Sequence, residues 1–248
     1  RLINISKNLK AIGRAGVGVD NIDLDAATRK GIVVMNVPDI NTISAAEHTM
    51  ALLLALSRNI YQGHHGLSKG LWNRHKLTGS ELKNKKIGII GLGKIGREVM
   101  TRCNSFEMKV LGYDPFVNSD VFDKNQIKIL SFNSIIKEAD YLTIHIPMTK
   151  NTKGLFNYTV FKKMKSTARI INVARGGIID EKDLAKALNN KLILGAAIDV
   201  FEKEPVDIKN PLLNAQNTLL TPHLGASTHE AKEGVSYSIC KQIIHFLF

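Results

Sequence analysis

A short apolar run at residues 87–90 leads into Gly91, Gly93 and Gly96 at G-x-G-x-x-G spacing, where the hydrophobic pattern changes from that of a strand to that of a helix. Beyond this helix a second apolar run, Lys109–Tyr113, ends in Asp114, 18 residues after Gly96. Few local patterns restrict a fold as strongly. Gly91 permits a tight turn, Gly93 lets backbone approach a pyrophosphate, and Gly96 lets the helix pack against the strand. The phosphates then rest on the helix N-terminus. Asp114 is spaced to accept hydrogen bonds from the adenine ribose hydroxyls, where it would repel a 2′-phosphate. Pro115 and Phe116 follow it with no Arg at hand, so NAD is expected rather than NADP.

The same alternation runs through the chain. Before the fingerprint come a strand at 10–12, a glycine turn at 13–18, a helical DLDAATRKG and a strand at 32–35. The opening RLINISKNL has no strand ahead of it and the chain does not begin with Met, so the first domain is expected to lack its early strands. Pro38 ends the strand. Asn41 or Thr42 can then cap a long helix to about residue 60, with Ser44 and Glu47 at capping-box spacing. Residues 61–84 read as a second helix and a loop. After Asp114, strands are expected at 127–130, 141–147, 168–174 and 192–201, separated by helices from 133, at 157–163 and at Glu181–Asn189. Strands alternating with helices give an α/β fold with a parallel sheet covered on both faces, and its ligand lies at the carboxyl ends of the strands.

Composition narrows the class. A chain of 248 residues, 44% hydrophobic, supports one large or two modest domains with cores of their own. The net charge of +12 comes mainly from scattered Lys, without a basic block or aromatic interleaving, which argues against nucleic acid as a partner. It remains compatible with attraction of small anions. Cys103 and Cys240 are isolated and read as reduced thiols of a cytoplasmic protein. The ALLLAL run at 51–56, bracketed by His48 and Arg58, is too short to span a bilayer, so a buried helix and no membrane partner are expected. The histidines show no HExxH or Cys/His spacing, and no metal is expected.

Three stretches sit where strand ends should carry chemistry. ARIINVARGGIID puts Arg175 just after a strand, beside Gly176 and Gly177, able to hold a carboxylate through two parallel hydrogen bonds. DVFEKEP offers Asp199, Glu202 and Glu204, and TPHLGAST places His223 in a loop after Leu219 and Leu220. One His, one Arg and one acid at strand ends meet the needs of a hydroxy-acid oxidation. The imidazole takes the hydroxyl proton, a carboxylate orients the ring, and the Arg binds the substrate carboxylate while hydride leaves for a nicotinamide.

Together GRAGVGVDNIDL, NVPDINTISAAEHTMALLLALSRN, GIIGLGKIGREV, NVARGGIIDEKDL, AAIDVFEKEP and TPHLGAST resemble the D-isomer-specific 2-hydroxyacid dehydrogenases, most closely the branch acting on D-3-phosphoglycerate. The resemblance implies a Rossmann-type doubly wound sheet at 37–227, inserted into a smaller flavodoxin-like substrate domain formed here by 1–36 and 228–248, with the active site in the cleft. It assigns Arg175 to the substrate carboxylate, Glu204 to the histidine and His223 to acid/base work. Arg14, Gly16 and Asn41 fall on the substrate side, with Arg14 a phosphate contact. Lys94 and Ile95 lie over the pyrophosphate. Val17, Ile146, Pro147, Val173, Ala174, Asp199, Gly225 and Ala226 join the fingerprint in lining the NAD site.

The activity so implied is NAD-dependent oxidation of D-3-phosphoglycerate to 3-phosphohydroxypyruvate, the first step of serine biosynthesis. A glyoxylate/hydroxypyruvate or D-lactate type enzyme is the alternative within the family, and a non-catalytic NAD-sensing binding protein the alternative outside enzymes. A homo-oligomer, dimer or tetramer, is expected through the helix at 42–60.

Overall fold

The apolar runs become parallel strands, and their alternation decides which helix each face receives. The computed structural model describes residues 2–19 and 21–248. Contacts divide the chain into a smaller unit, formed by residues up to Ser44 together with Ala226–Phe248, and a larger one, Ala45–Gly225.

The smaller unit holds α1 (Leu2–Ile5) and one β-α-β turn of chain: β1 (Ala11–Gly13), α2 (Leu24–Arg29) and β2 (Val33–Met35), with Ala11 paired to Val33 in parallel. The Asp23 side chain caps α2 by accepting from the Ala26 N–H at 2.9 Å. The long terminal helix α9 (His229–Leu247) lies on this pair, and its Val235, Ile239 and Ile243 join Met35, Val37 and Ile40 in a small core. That core explains where the units divide. The sequence reading set boundaries at 36/37 and 227/228, whereas the contacts divide the chain at 44/45 and 225/226. Ile40 packs on Gly234, and the Ser44 hydroxyl meets Thr228 Oγ1 at 2.8 Å, so residues 37–44 stay with the smaller unit. Ser44 therefore closes no capping box; Glu47 instead reaches Arg102 at 3.4 Å.

Helix α3 (Thr42–Ser57) ends sooner than the expected residue 60, because Asn59 adopts a left-handed conformation at φ 53° before α4 (Ile60–Leu67) begins. The apolar residues of α3, Met50, Leu52, Leu53 and Leu56, are buried in the core of the larger unit rather than offered to a second copy. Exposed apolar side chains cluster instead on α4 and just after it, at Ile60, Tyr61, Leu67, Leu71 and Trp72.

The larger unit is built on β3 (Lys86–Ile90), α5 (Lys94–Ser105), β4 (Lys109–Tyr113), β5 (Lys128–Ile129), α6 (Phe132–Glu138), β6 (Tyr141–Ile144), α7 (Tyr158–Phe161), β7 (Arg169–Asn172), α8 (Glu181–Asn189), β8 (Gly195–Ile198) and β9 (Thr218–Leu220). Spatially the strands run β5-β4-β3-β6-β7-β8-β9, every neighbouring pair parallel. This is a doubly wound order that reverses between β3 and β6, the place where such sheets take ligands beyond their carboxyl ends.

Alternation along the strands sorts the side chains. Leu142, Ile144, Ile170, Ala196 and Ile198 face a core with α6, α7 and α8, while Ile87, Ile89, Tyr141, Ile171 and Ala197 face the other with α3 and α5. Burial on both faces is why these strands read as continuous apolar runs.

Phe156 is fully buried and meets Phe132 edge to face at 5.7 Å, and Phe132 in turn meets Tyr113 at 5.5 Å. Replacing Phe156 with Ala is expected to cost about 3–5 kcal/mol, read as a lower urea midpoint with the far-ultraviolet dichroism unchanged. A midpoint equal to the wild type's would show that this cluster adds nothing to the core.

Candidate active site

At the carboxyl end of β3, Gly91 takes φ 97°, and a Cβ there would strike the His145 carbonyl that follows β6, its oxygen only 2.5 Å away. A Cβ on Gly96 would collide with the Gly91 carbonyl, so both positions demand glycine for the turn and the close approach of α5. Gly93 serves as the N-cap of α5 and faces open space, with no atom within 4 Å of where a Cβ would stand. Lys94 is exposed beside it and Ile95 half-buried.

Asp114, at the end of β4, fixes this loop: its Oδ2 accepts from the Leu92 N–H at 2.8 Å and its Oδ1 from the Phe116 N–H at 2.9 Å. The residues present therefore fit a dinucleotide. A bare backbone turn opens at a helix N-terminus, and a carboxylate stands at the neighbouring strand end where an adenine ribose is read.

Across the reversal point, Ile146 is half-buried and Pro147 exposed after β6. Beyond β7, Val173 is buried and Ala174 half-buried. Asn172 shapes this turn. Its Oδ1 accepts from the Ala174 N–H and its Nδ2 donates to the Arg175 carbonyl, each at 3.0 Å, while Arg175 Nη1 donates to the Ala174 carbonyl at 2.7 Å. A half-buried guanidinium is thus held on a stiffened turn.

The loop after β9 carries His223 at φ 55°. Its Nδ1 lies 2.6 Å from Glu204 Oε2, and Glu204 Oε1 accepts from the Phe201 N–H at 3.0 Å. The pair is partly open to solvent, with side-chain exposures of 45% and 36%. With Nδ1 engaged, Nε2 is the nitrogen left to act on a ligand.

Asp199, just past β8, organises this loop from below. It is fully buried, and its two oxygens take four donors: Thr221 Oγ1 at 2.6 Å, the Leu224 N–H at 2.7 Å, the Gly225 N–H at 2.8 Å and His48 Nε2 at 3.2 Å. The Asp199 carbonyl also accepts the His223 N–H at 2.8 Å. Burial alone would raise the Asp199 pKa, but the bonds from His48, Thr221, Leu224 and Gly225 outweigh it and hold the carboxyl below its usual value. The sequence reading set Asp199 among residues lining the NAD site; in the structure it has no exposed surface and clamps the histidine loop.

His48, Thr221 and Asn172 went unassigned in the sequence. His48 lies in α3, 151 residues from Asp199, and nothing local to AAEHTM signals that contact.

The remaining assigned residues belong to the smaller unit. Asn36 Nδ2 donates to the Val17 carbonyl at 2.7 Å, Val37 N–H to the Gly16 carbonyl at 3.0 Å, and the Arg14 N–H to the Met35 carbonyl at 2.8 Å. Asn41 Oδ1 is buried without a hydrogen-bond partner. Arg14, Gly16, Asn41 and Ala226 line one cavity there. Among the described residues, no group of three or more His, Cys, Asp or Glu is placed to hold a metal ion, and no helix is long and apolar enough to cross a membrane.

His145 adds a pH-dependent contribution. Enclosure pushes its pKa down to about 3, and Thr143 Oγ1 lies 2.8 Å from its Nε2. A histidine depressed in the fold contributes its full stability above the unfolded value of about 6.5 and loses it as pH falls toward the folded one. Between pH 7 and pH 5 the wild type is expected to lose about 1–2 kcal/mol from this group. In His145→Gln that part of the decline should disappear, as urea midpoints at the two pH values would show. Parallel declines in the two proteins would exclude His145 as the source.

The description "D-isomer specific 2-hydroxyacid dehydrogenase, NAD binding domain" matches residues 50–225. A D-3-phosphoglycerate dehydrogenase of Archaeoglobus fulgidus is 48% identical over 98% of this chain and 46% of its own length. The Bacillus subtilis D-3-phosphoglycerate dehydrogenase is 46% identical over 99% of this chain and 46% of its own. The chain thus spans about half the length of these relatives. An NAD-dependent formate dehydrogenase from Staphylococcus aureus, solved with NAD, superposes with a TM-score of 0.90 at 34% identity, covering 97% of this chain and 72% of that one. With the doubly wound sheet, the glycine turn and the NAD-binding domain matched along most of its length, the chain belongs to the D-isomer-specific 2-hydroxyacid dehydrogenase family.

Proposed function

We propose that the full-length protein oxidises D-3-phosphoglycerate at C2 to 3-phosphohydroxypyruvate, the first step of serine biosynthesis. The observation that carries the reading is the 2.6 Å bond between His223 Nδ1 and Glu204 Oε2 on a loop pinned by Asp199. The relatives at 46–48% identity support the choice of acid.

The chain's residues divide the work as follows. Arg175 takes the C1 carboxylate in a two-pronged contact, and its turn, stiffened by Asn172, orients C2. His223 Nε2 accepts the proton of the C2 hydroxyl as the C2–H bond gives up its hydride. Glu204 keeps the ring in register and stabilises the imidazolium so formed. Bound NAD supplies the hydride acceptor. Gly93 and the start of α5 receive its pyrophosphate, and Asp114 selects against a ribose 2′-phosphate. A cytoplasmic homo-oligomer, dimer or tetramer, completes this reading. The exposed apolar side chains on and after α4 support an association face there.

The test is NADH formation by the full-length protein at alkaline pH with product trapped, comparing D-3-phosphoglycerate, D-lactate and D-glycerate. Preference for the phosphorylated acid is expected, and no turnover of any while NAD still binds would favour a sensing protein instead. His223→Ala should lower kcat by roughly 10²–10⁴, and near-normal rates across the pH range would remove its acid/base role. Asp114→Ala should narrow the preference for NAD over NADP in steady-state kinetics. An unchanged ratio would end that account of selectivity.

A further inference from the structure

Glu204 reaches His223 from a turn at 201–204 whose anchor lies on another element. Glu181, the first residue of α8, is half-buried and uses both carboxylate oxygens there: Oε1 accepts from the Glu202 N–H at 2.7 Å, and Oε2 from Asn210 Nδ2 at 2.5 Å. We infer that Glu181 is a positioning residue for the proposed oxidation, holding the 201–204 turn so that Glu204 meets His223 beside the turn that carries Arg175. This rests on the dehydrogenase reading above and gives a role to a side chain that in it touches neither substrate nor cofactor.

Two successive N–H groups define the turn. The Phe201 N–H donates to Glu204 Oε1 at 3.0 Å, which aligns the carboxylate whose other oxygen meets His223. The next, from Glu202, goes to Glu181. The peptide joining Phe201 to Glu202 is also packed against the arginine turn: a Cβ on Gly176 would stand 1.9 Å from the Phe201 carbonyl oxygen and 2.6 Å from the Glu202 nitrogen. One peptide plane thus rests on the residue after Arg175 and is tied by its N–H to Glu181. Without that tie the plane can rotate, which moves Glu204 relative to the Phe201 N–H and to His223.

Glu181 is itself held in place. Asp180 caps α8 by accepting from the Asp183 N–H at 2.9 Å, and the helix dipole favours a carboxylate in the first turn. Asn210 fixes the second oxygen, its own Oδ1 accepting from the Leu212 N–H at 3.0 Å as the cap of a short helix at Pro211–Asn214. A backbone N–H bonded to an ionised carboxylate is about twice as strong a tie as one bonded to a neutral acceptor. The Glu202 side chain adds little restraint, since its 3.1 Å pairing with Lys153 leaves both partners 61% exposed.

The experiment measures steady-state kinetics of the full-length protein with D-3-phosphoglycerate. Glu181→Ala should lower kcat roughly 10- to 100-fold, with KM for the acid and NAD affinity within about twofold of the wild type. In a Glu204→Ala background the same change should cost less than about twofold, because Glu181 then has no carboxylate to position. Glu181→Gln keeps an acceptor for the Glu202 N–H but turns an NH₂ toward Asn210, so its loss should be smaller. Adding Asn210→Asp gives that NH₂ an acceptor while still capping Leu212, and should restore most of the rate. A kcat for Glu181→Ala equal to the wild type's, or the same fold loss with and without Glu204, overturns the inference. Glu181→Gln carries both comparisons where the alanine variant does not fold.

Hydrogen exchange of the segment 200–204 keeps the two readings apart. A wild type that turns over no hydroxy acid removes the dehydrogenase reading. Faster exchange at the Glu202 amide in Glu181→Ala, with near wild-type exchange when Glu181→Gln is combined with Asn210→Asp, would still uphold the hold of Glu181 on the turn. Exchange in Glu181→Ala equal to the wild type's would overturn it.

Discussion

A parallel sheet buried on both faces can offer side chains to a ligand only from the loops at its ends. In the larger unit the constraint is nearly complete, since β6, β7 and β8 are buried at every position. All the strands run the same way, so Gly91, Asp114, Ile146, Arg175, Asp199 and Thr221 follow their carboxyl ends in turn. The order β5-β4-β3-β6 then puts Gly91 against the His145 carbonyl, at the point where successive connections leave for opposite faces. These candidate residues are scattered over more than a hundred positions of sequence, and strand direction alone returns them to one edge.

At that edge the stiffness comes from buried polar groups. A carboxylate as enclosed as Asp199 costs several kcal/mol unless its lone pairs are used. Two backbone N–H groups, a threonine hydroxyl and the His48 ring use them, and three of these donors belong to the loop that carries His223. Asn172 does the same for the turn carrying Arg175 with a neutral amide. The groups suited to chemistry, the partly open His223 with Glu204 and the half-buried Arg175 guanidinium, are therefore mounted on loops whose own hydrogen bonds are satisfied internally. Such loops lose little freedom when substrate arrives, which is what a reaction needing aligned donors and acceptors requires.

Legibility varied with the range of the interaction. The βαβ rhythm, the glycine turn and Asp114 could be read because each is a local pattern at fixed spacing. Arg175, Glu204 and His223 were identifiable from motifs and strand ends, and the structure joins His223 to Glu204 directly. The end of α3 was misplaced because helix periodicity runs on through Arg58, and only the left-handed Asn59 breaks it. Ser44 read as a capping box because it has Glu three residues later, but its hydroxyl was taken by Thr228 from the far end of the chain. The apolar run of α3 fitted a core or an association face equally well, and burial of Leu52, Leu53 and Leu56 assigned it to the core.

From the sequence alone came the fold class, the nucleotide turn, the choice of strand ends as the working edge and the family, since periodicity and short motifs express backbone geometry within a few residues. What only the tertiary structure decided was which groups are enclosed and what they meet. His48 against Asp199 spans 151 residues, and Ser44 against Thr228 spans 184. Contacts of that kind arise when separate elements pack, and no spacing along the chain encodes them.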